Sequence, residues 1–228
     1  YLGRVSPEIR RHHGVIIKYM GDGVMAIFPE SADDAIRASI AELHQVSEYN
    51  IDLIQGQQLP IAIGIGLHFG PMMVGIVGEA GRMQGDALSD TVNLTARIEG
   101  LTKFYGVPLL VSEQVIDSLE TPEEFGIRLL DRVVVKGRTE PISIYEVVDG
   151  ETDSRVRDLK LASRAEFEAA LALYQAQQWT EALAKFSAIL AENPKDRPAA
   201  MYMERIMELS QTPVMAEGWD GVWRFQTK

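Results

Sequence analysis

An α+β fold, with a mainly antiparallel sheet, flanking helices and a small all-α segment behind it, is predicted by three features of the sequence. Short β-rich runs come in hairpin-like pairs punctuated by glycine. Helical runs interrupt them irregularly rather than after every strand, which argues against a doubly wound parallel sheet. Beyond Gly150 the strand signal stops and Ala, Leu and Glu take over. At 228 residues, 46% hydrophobic and 24% charged, the chain can bury one good core and a smaller appendage.

The elements follow in order. Residues 1 to about 13 read as the end of an amphipathic helix stopped by Gly14. "IIKYMGDGVMAIFP", Ile16 to Pro29, reads as a hairpin whose Gly-Asp-Gly turn draws on glycine's freedom at positive φ. Ser31 caps a long helix with Ala35, Ile36, Ile40, Leu43 and Val46 on one side. "LPIAIGIGLHFG" and "PMMVGIVG" read as β runs divided by a Gly-Pro turn, and a glycine-containing loop follows. "SDTVNLTARIEGLTKFYG" is a helix ending at Gly106, after which "PLLVS", "IRLLDRVVVKG" and "PISIYEVVDG" are strand candidates.

Gly150 therefore divides a first domain, 1–150, from a helical segment, 151–211, and an apolar tail, 212–228. Within the segment, Ala170, Ala182, Phe186 and Pro194 stand at the relative spacings of a tetratricopeptide repeat, where small residues let antiparallel helices pack closely. One repeat cannot bury its apolar face unaided, so packing on the first domain or on a protein partner is expected. Trp219, Val222, Trp223 and Phe225 are likewise too apolar for a free end, and the tail is expected to pack back.

Composition excludes several functions. A net charge of −11 argues against a general nucleic-acid or anionic-membrane surface, because polyanions are held by excess Lys and Arg. Without cysteine there is no disulfide, thiolate metal site or thiol nucleophile. No apolar run reaches the length of a bilayer span, so no membrane contact and a cytoplasmic location are expected for this portion.

Some residues invite chemistry. Asp22, at a hairpin tip, offers an accessible carboxylate of the kind that Mg²⁺ prefers. Asn93 and Arg97, four apart on a helix, can reach one ligand. Arg138 reads as a solvated turn residue. His12 and His13 end a helix without metal spacing, and Gly64, Gly66 and Gly70 serve close packing rather than phosphate binding.

"KYMGDGVMAIF", "GLHFGPMMVGIVG", "RMQGDALSDTVNLTARIEGLTK" and "LDRVVVKGRTEPISIYEV" occur together in the order found in class III nucleotidyl cyclases, and residues 1–150 resemble the catalytic domain of that family. The resemblance implies a palm-type, ferredoxin-like fold. It also implies conversion of ATP to 3′,5′-cyclic AMP and pyrophosphate with two Mg²⁺ or Mn²⁺ ions in a site at a homodimer interface. Asp22 matches one of two metal-binding aspartates. The other belongs to a Phe-x-Asp-Ile-type strand expected before Tyr1, so the chain is expected to be truncated at its N-terminus and nearly inactive alone. Asn93 and Arg97 match the pair that steadies charge on the α-phosphate, and Lys136 matches the lysine on the triphosphate tail. Lys18 and Asp86 match the purine-reading positions. Lysine can donate to adenine N1 and aspartate can accept from the 6-amino group, whereas guanylate cyclases typically carry Glu and Cys there.

By the same resemblance, the metal aspartates of one subunit face the purine-reading and transition-state residues of the other. Lys18 and Asp22 would then serve different ATP molecules. A Trp-Asp-Gly-Val tail resembles that of some multidomain bacterial cyclases, whose upstream sensors include membrane-bound ones. The rival readings are a guanylate cyclase, which Lys18 opposes, and a diguanylate cyclase, whose Gly-Gly-Asp-Glu-Phe signature is absent. A catalytically silent dimerisation module with a protein-binding repeat is the third.

Overall fold

The computed structural model describes residues 1–79, 81–211 and 219–225. Residues 212–218 and 226–228 of the predicted tail lie outside the described residues. Helix α1 (Leu2–Arg11) leads into a hairpin of β1 (Val15–Met20) and β2 (Gly23–Ile27). Gly14 is required between them by space, since a methyl there would lie 2.6 Å from Ile9 and Phe28. Helix α2 (Ala32–Gln55) follows, with the Ser31 hydroxyl accepting from the Asp33 amide at 3.1 Å as its cap. Ala35, Ile36, Leu43 and Val46 form its buried side.

The chain continues through β3 (Ile65–Leu67), β4 (Met73–Glu79), β5 (Arg82–Leu88), α3 (Asp90–Tyr105), β6 (Leu109–Ser112) and the short α4 (Glu113–Ile116) to β7 (Ile127–Val134) and β8 (Ile142–Val147). Gly106, at φ 66°, closes α3 in the left-handed conformation. A five-stranded sheet takes the order β3-β6-β8-β7-β9, in which β9 is Trp223–Arg224 from the tail. Its β6–β8 and β7–β8 pairs are antiparallel, but β3–β6 and β7–β9 are parallel, so the sheet is mixed. The observed class is α+β, as predicted.

Two expectations need correction. The run at Leu59–Gly70 forms a strand only over Ile65–Leu67, and β4 pairs not with it but with β5. Residues 82–88, read as part of a glycine-containing loop, are a strand, and Asp86 therefore sits within β5. The propensity of Arg-Met-Gln-Gly-Asp-Ala-Leu for a strand is weak, and the partner strand supplies what it lacks.

Both faces of the sheet are covered. Leu109, Val111 and Val147 pack with Ile36 and Leu43 of α2, while Leu110, Leu130, Val133, Ile142 and Ile144 point the other way. On that second face α3 lies beside α6 (Arg164–Gln175), α7 (Trp179–Glu192) and α8 (Arg197–Gln211), reached through α5 (Ser154–Ala162). The helical segment thus shares one continuous core with the sheet. Ala170, Ala182 and Phe186 are fully buried in that core, and Phe186 stacks on Tyr202 with ring centroids 5.0 Å apart. Pro194 lies in the turn before α8.

Buried charge ties the two parts together. The Arg128 guanidinium on β7 donates to Glu146 of β8 at 2.5 Å and to Asp196, before α8, at 2.7 Å. Lys160 of α5 reaches the same Glu146 at 2.7 Å. All four side chains are essentially inaccessible. Burial alone would raise the Glu146 pKa, but Arg128 and Lys160 outweigh it and hold the carboxyl below its usual range.

Candidate active site

The hairpin β1–β2 turns through Gly21 and Asp22, with Met20 opposite Gly23. Only the first of the two turn residues has positive φ, 66° at Gly21, the pattern of a type II′ connection. This turn leaves Asp22 exposed at the tip. A bulge at Ile17 separates the Ile16 and Lys18 pairings, and the Ile17 carbonyl comes within 3.7 Å of a methyl built on Gly85. The close approach brings β5 beside β1.

Across that approach, Lys18 Nζ donates to Asp86 Oδ1 at 2.6 Å, with both side chains about one-fifth exposed (20% and 23%). The hydrogen bond from Lys18, aided by the Ala87 amide against a smaller cost of burial, holds Asp86 below the usual carboxylate range. Two residues that stand 68 positions apart are thus brought into one donor–acceptor pair.

Asn93 and Arg97 lie in the first half of α3, which Ser89 caps by accepting from the Val92 amide at 3.1 Å. Helix α3 lies flat on β3 because the strand has no side chains in the way: a methyl on Gly64 would strike the Thr102 hydroxyl, and one on Gly66 the backbone of Glu99. Those glycines serve packing, as read from the sequence. Asn93 is exposed, whereas Arg97 is half-buried and its Nη1 is a buried donor without a hydrogen-bond partner among the described residues. An unpaired guanidinium nitrogen in such a position is costly unless something binds there.

The turn between β7 and β8 faces Arg97. The Arg138 amide donates to the Val135 carbonyl at 3.1 Å, closing a turn with Lys136 and Gly137 at its centre and Gly137 at φ 76°. A methyl on Gly137 would sit 3.3 Å from Arg97 Nη2. Lys136 is exposed at the same turn. Arg138, read from the sequence as a solvated turn residue, instead pairs with Asp90 in the first turn of α3. No spacing rule links residues 48 apart, so this tie could not be read from sequence.

The structure therefore sets Arg97 against the Lys136–Gly137 turn, with Asn93 one helical turn before it on α3, and pairs Lys18 with Asp86, while Asp22 is exposed at the hairpin tip. Among the described residues, His13, Glu30 and Asp34 place ligand atoms within 4.8 Å of one another. That trio sits at the base of the hairpin, roughly 20 Å from its tip by strand rise. His13, which carries no metal spacing in the sequence, donates from Nδ1 to Asp34 Oδ2 at 2.8 Å.

A further feature escaped the sequence reading. The β4–β5 hairpin stands off the main sheet and exposes apolar side chains: Met73 and Ile76 are each 75% accessible, and Val74, Val77, Met83 and Leu88 are also exposed. The signal was a β run without the polar alternation of a half-buried strand.

The sequence profile of the adenylate and guanylate cyclase catalytic domain matches residues 5–148, and the chain belongs to that family. It is 34% identical over 218 residues to the terminal-differentiation-specific adenylate cyclase of Dictyostelium discoideum, covering 93% of this chain and 10% of that protein. It is 41% identical over 153 residues to an adenylate cyclase of Anabaena cylindrica, covering 64% of this chain and 30% of the relative. The chain thus spans from a tenth to about a third of the length of these relatives. Among solved structures, a bacterial light-regulated adenylyl cyclase superposes with a TM-score of 0.58 at 26% identity, over 67% of this chain and 44% of that one. The guanylyl cyclase Cya2 superposes with 0.56 at 26% identity, over 65% and 76%. No helix among the described residues is long and apolar enough to cross a membrane.

Proposed function

We propose that this chain is the catalytic portion of an adenylate cyclase, forming 3′,5′-cyclic AMP and pyrophosphate from ATP at a homodimer interface, within the cytoplasm. The observation that carries the choice of base is the Lys18–Asp86 pair at 2.6 Å. Adenine presents an acceptor, N1, next to a donor, the 6-amino group. An ammonium and an ionised carboxylate held side by side match that edge, and guanine presents the reverse. Overall likeness does not decide the matter, since the adenylyl and guanylyl cyclase structures superpose almost equally well.

The remaining residues fit the reaction. Attack of the ribose 3′-hydroxyl on the α-phosphorus forms one P–O bond and breaks that to pyrophosphate. Arg97, with a buried Nη1 donor unpaired, and Asn93 on the same helix face would stabilise charge developing on the α-phosphate. Lys136, at the turn touching Arg97, would hold the triphosphate tail. Two Mg²⁺ or Mn²⁺ ions, when bound, would activate the hydroxyl and neutralise the leaving group. Asp22 is exposed and ionisable, as such a ligand must be; the second carboxylate is assigned by family resemblance to a strand outside these residues. The apolar β4–β5 hairpin supports the dimer, since it offers a two-fold partner a surface that water does not favour.

The test exchanges donor and acceptor. Lys18→Glu with Asp86→Cys, made in a form extended at its N-terminus to include both metal aspartates, is expected to weaken ATP use and let GTP compete. Polar readout can discriminate strongly because a mismatched base leaves buried groups unpaired. Unchanged ATP and GTP kinetics would remove both residues from the base pocket.

A further inference from the structure

We infer that Trp223 and Phe225, in the C-terminal tail, are positioning residues for the triphosphate end of the site; the inference rests on the cyclase reading above. Strand β9 pairs parallel to the outer edge of β7, with Trp223 opposite Val133 and Arg224 opposite Val134. The Phe225 amide then donates to the Val134 carbonyl at 2.9 Å. Val134 is two residues before Lys136. The edge of β7 is therefore fixed at the point where the chain leaves the sheet to form the Lys136–Gly137 turn.

The same tail grips the helix that carries Asn93 and Arg97. Phe225 packs edge-on against Phe104 of α3 with centroids 4.9 Å apart. The Arg205 guanidinium of α8 lies 4.2 Å from the Trp223 ring and pairs with Asp131 of β7 at 2.6 Å. Asp131 also accepts from the Tyr105 hydroxyl of α3 at 2.6 Å. Trp223 thus covers a buried junction in which β7, α3 and α8 meet. The strand and the helix tied there are the two that meet again at the site, where Gly137 abuts Arg97 and Arg138 pairs with Asp90. A rigid junction at the back sets their spacing at the front, and small displacements of positioned groups are expensive in rate or binding.

The test reads the turn directly and through kinetics. Trp223→Ala is expected to speed amide hydrogen exchange at residues 135–138 in the nucleotide-free protein. Because Lys136 contacts the ground-state triphosphate on the cyclase reading, KM for ATP in the N-terminally extended form should rise about tenfold with a smaller change in kcat. Trp223→Phe should restore both. In a Lys136→Ala background the Trp223→Ala effect on KM should vanish, since both act through one contact. Trp219→Ala is the control: its ring packs on Tyr174, 5.4 Å between centroids, so it should cost stability without moving exchange at the turn or KM. Unchanged exchange at 135–138, or a KM effect fully additive with Lys136→Ala, would overturn the inference. Should the N-terminally extended protein not turn over ATP, the cyclase reading fails, and exchange at the turn still decides whether the tail positions it.

Discussion

Glu146 is a fully buried carboxylate and Glu42 a partly buried one, and their pKa values shift in opposite directions. Glu146, where the helical segment docks, is met by Arg128 and Lys160 and stays below its usual range. Glu42, on α2 facing α1, has no ion-pair partner among the described residues; burial first, and then the charge of Glu8, push it up to about 8. The contrast runs through the molecule. Where the helical segment docks, the buried carboxylates are met by cations: Arg128 and Lys160 serve Glu146, Arg128 serves Asp196, and Arg205 serves Asp131. The N-terminal half leaves open an unpaired Arg97 nitrogen, an exposed Asp22 and an apolar hairpin, as a surface built for ligand and partner would.

The largest effect is expected where compensation is complete. Arg128→Met should destabilise the protein by about 3–5 kcal/mol, because Glu146 and Asp196 would remain buried with less than their full complement of cations. Thermal or urea unfolding measures it, and a loss below ~1 kcal/mol would mean that water reaches the network. The neutral triple replacement Arg128→Met, Glu146→Leu, Asp196→Leu should recover much of the loss.

Glu42 should show the reverse. Its folded pKa, about 8, lies above the unfolded 4.5, so its folded form binds the extra proton between those values. Stability from this group is therefore fully present below pH 4.5 and is lost as pH rises towards 8. Between pH 5 and pH 8, wild type should lose on the order of 3 kcal/mol that Glu42→Gln does not. Parallel stability–pH curves for the two proteins would show that Glu42 is ionised in the fold.

These two glutamates also mark what sequence could tell. Periodicity and punctuation located α2, α3, β6, β7 and β8, since Ser31 and Gly106 announce their helix ends locally. The hairpin with Asp22 at its tip was equally legible. Strand β5 was not, because Gly85 and Asp86 carry no strand propensity and the strand exists through β4. Lys18, Asp86, Asn93, Arg97 and Lys136 are grouped in the sequence by family resemblance and by no local pattern, since Lys18–Asp86 and Arg138–Asp90 join residues far apart in the chain. Buried charge is harder still: Arg128, Glu146 and Lys160 look like alternating surface residues until α5 and α8 cover them.

The N-terminal half can be tested without touching stability. In the N-terminally extended form, Arg97→Ala should lower turnover by roughly 10²-fold or more, about 2.7 kcal/mol, with KM changed less. Its melting temperature should change little, because Arg97 Nη1 has no hydrogen-bond partner among the described residues. Asp22→Ala should be inactive as well. Mixing the two variants should restore up to about half the activity per heterodimer if each site draws on both chains. No recovery despite verified subunit exchange would favour a site built within one chain.

The smallest effect sharpens the other side of the contrast, the hairpin β4–β5. If its apolar face is covered by a second copy, removing one side chain costs association and leaves the monomer's fold alone. Ile76 is 75% accessible within the chain, so Ile76→Ala should leave the unfolding midpoint of the isolated monomer within error. In a two-fold interface the loss is counted twice, and truncating Ile to Ala forfeits about 1 kcal/mol each time for the area returned to water. Dimer dissociation should therefore weaken by roughly 30-fold, about 2 kcal/mol. Sedimentation velocity across a concentration series reads this directly. The effect should persist at high salt, since screening acts on charge and not on apolar burial. An unchanged dissociation constant would take the hairpin out of the interface and move the search for it to another surface. A dissociation constant weakened together with a lowered monomer melting point would show instead that Ile76 packs within its own chain.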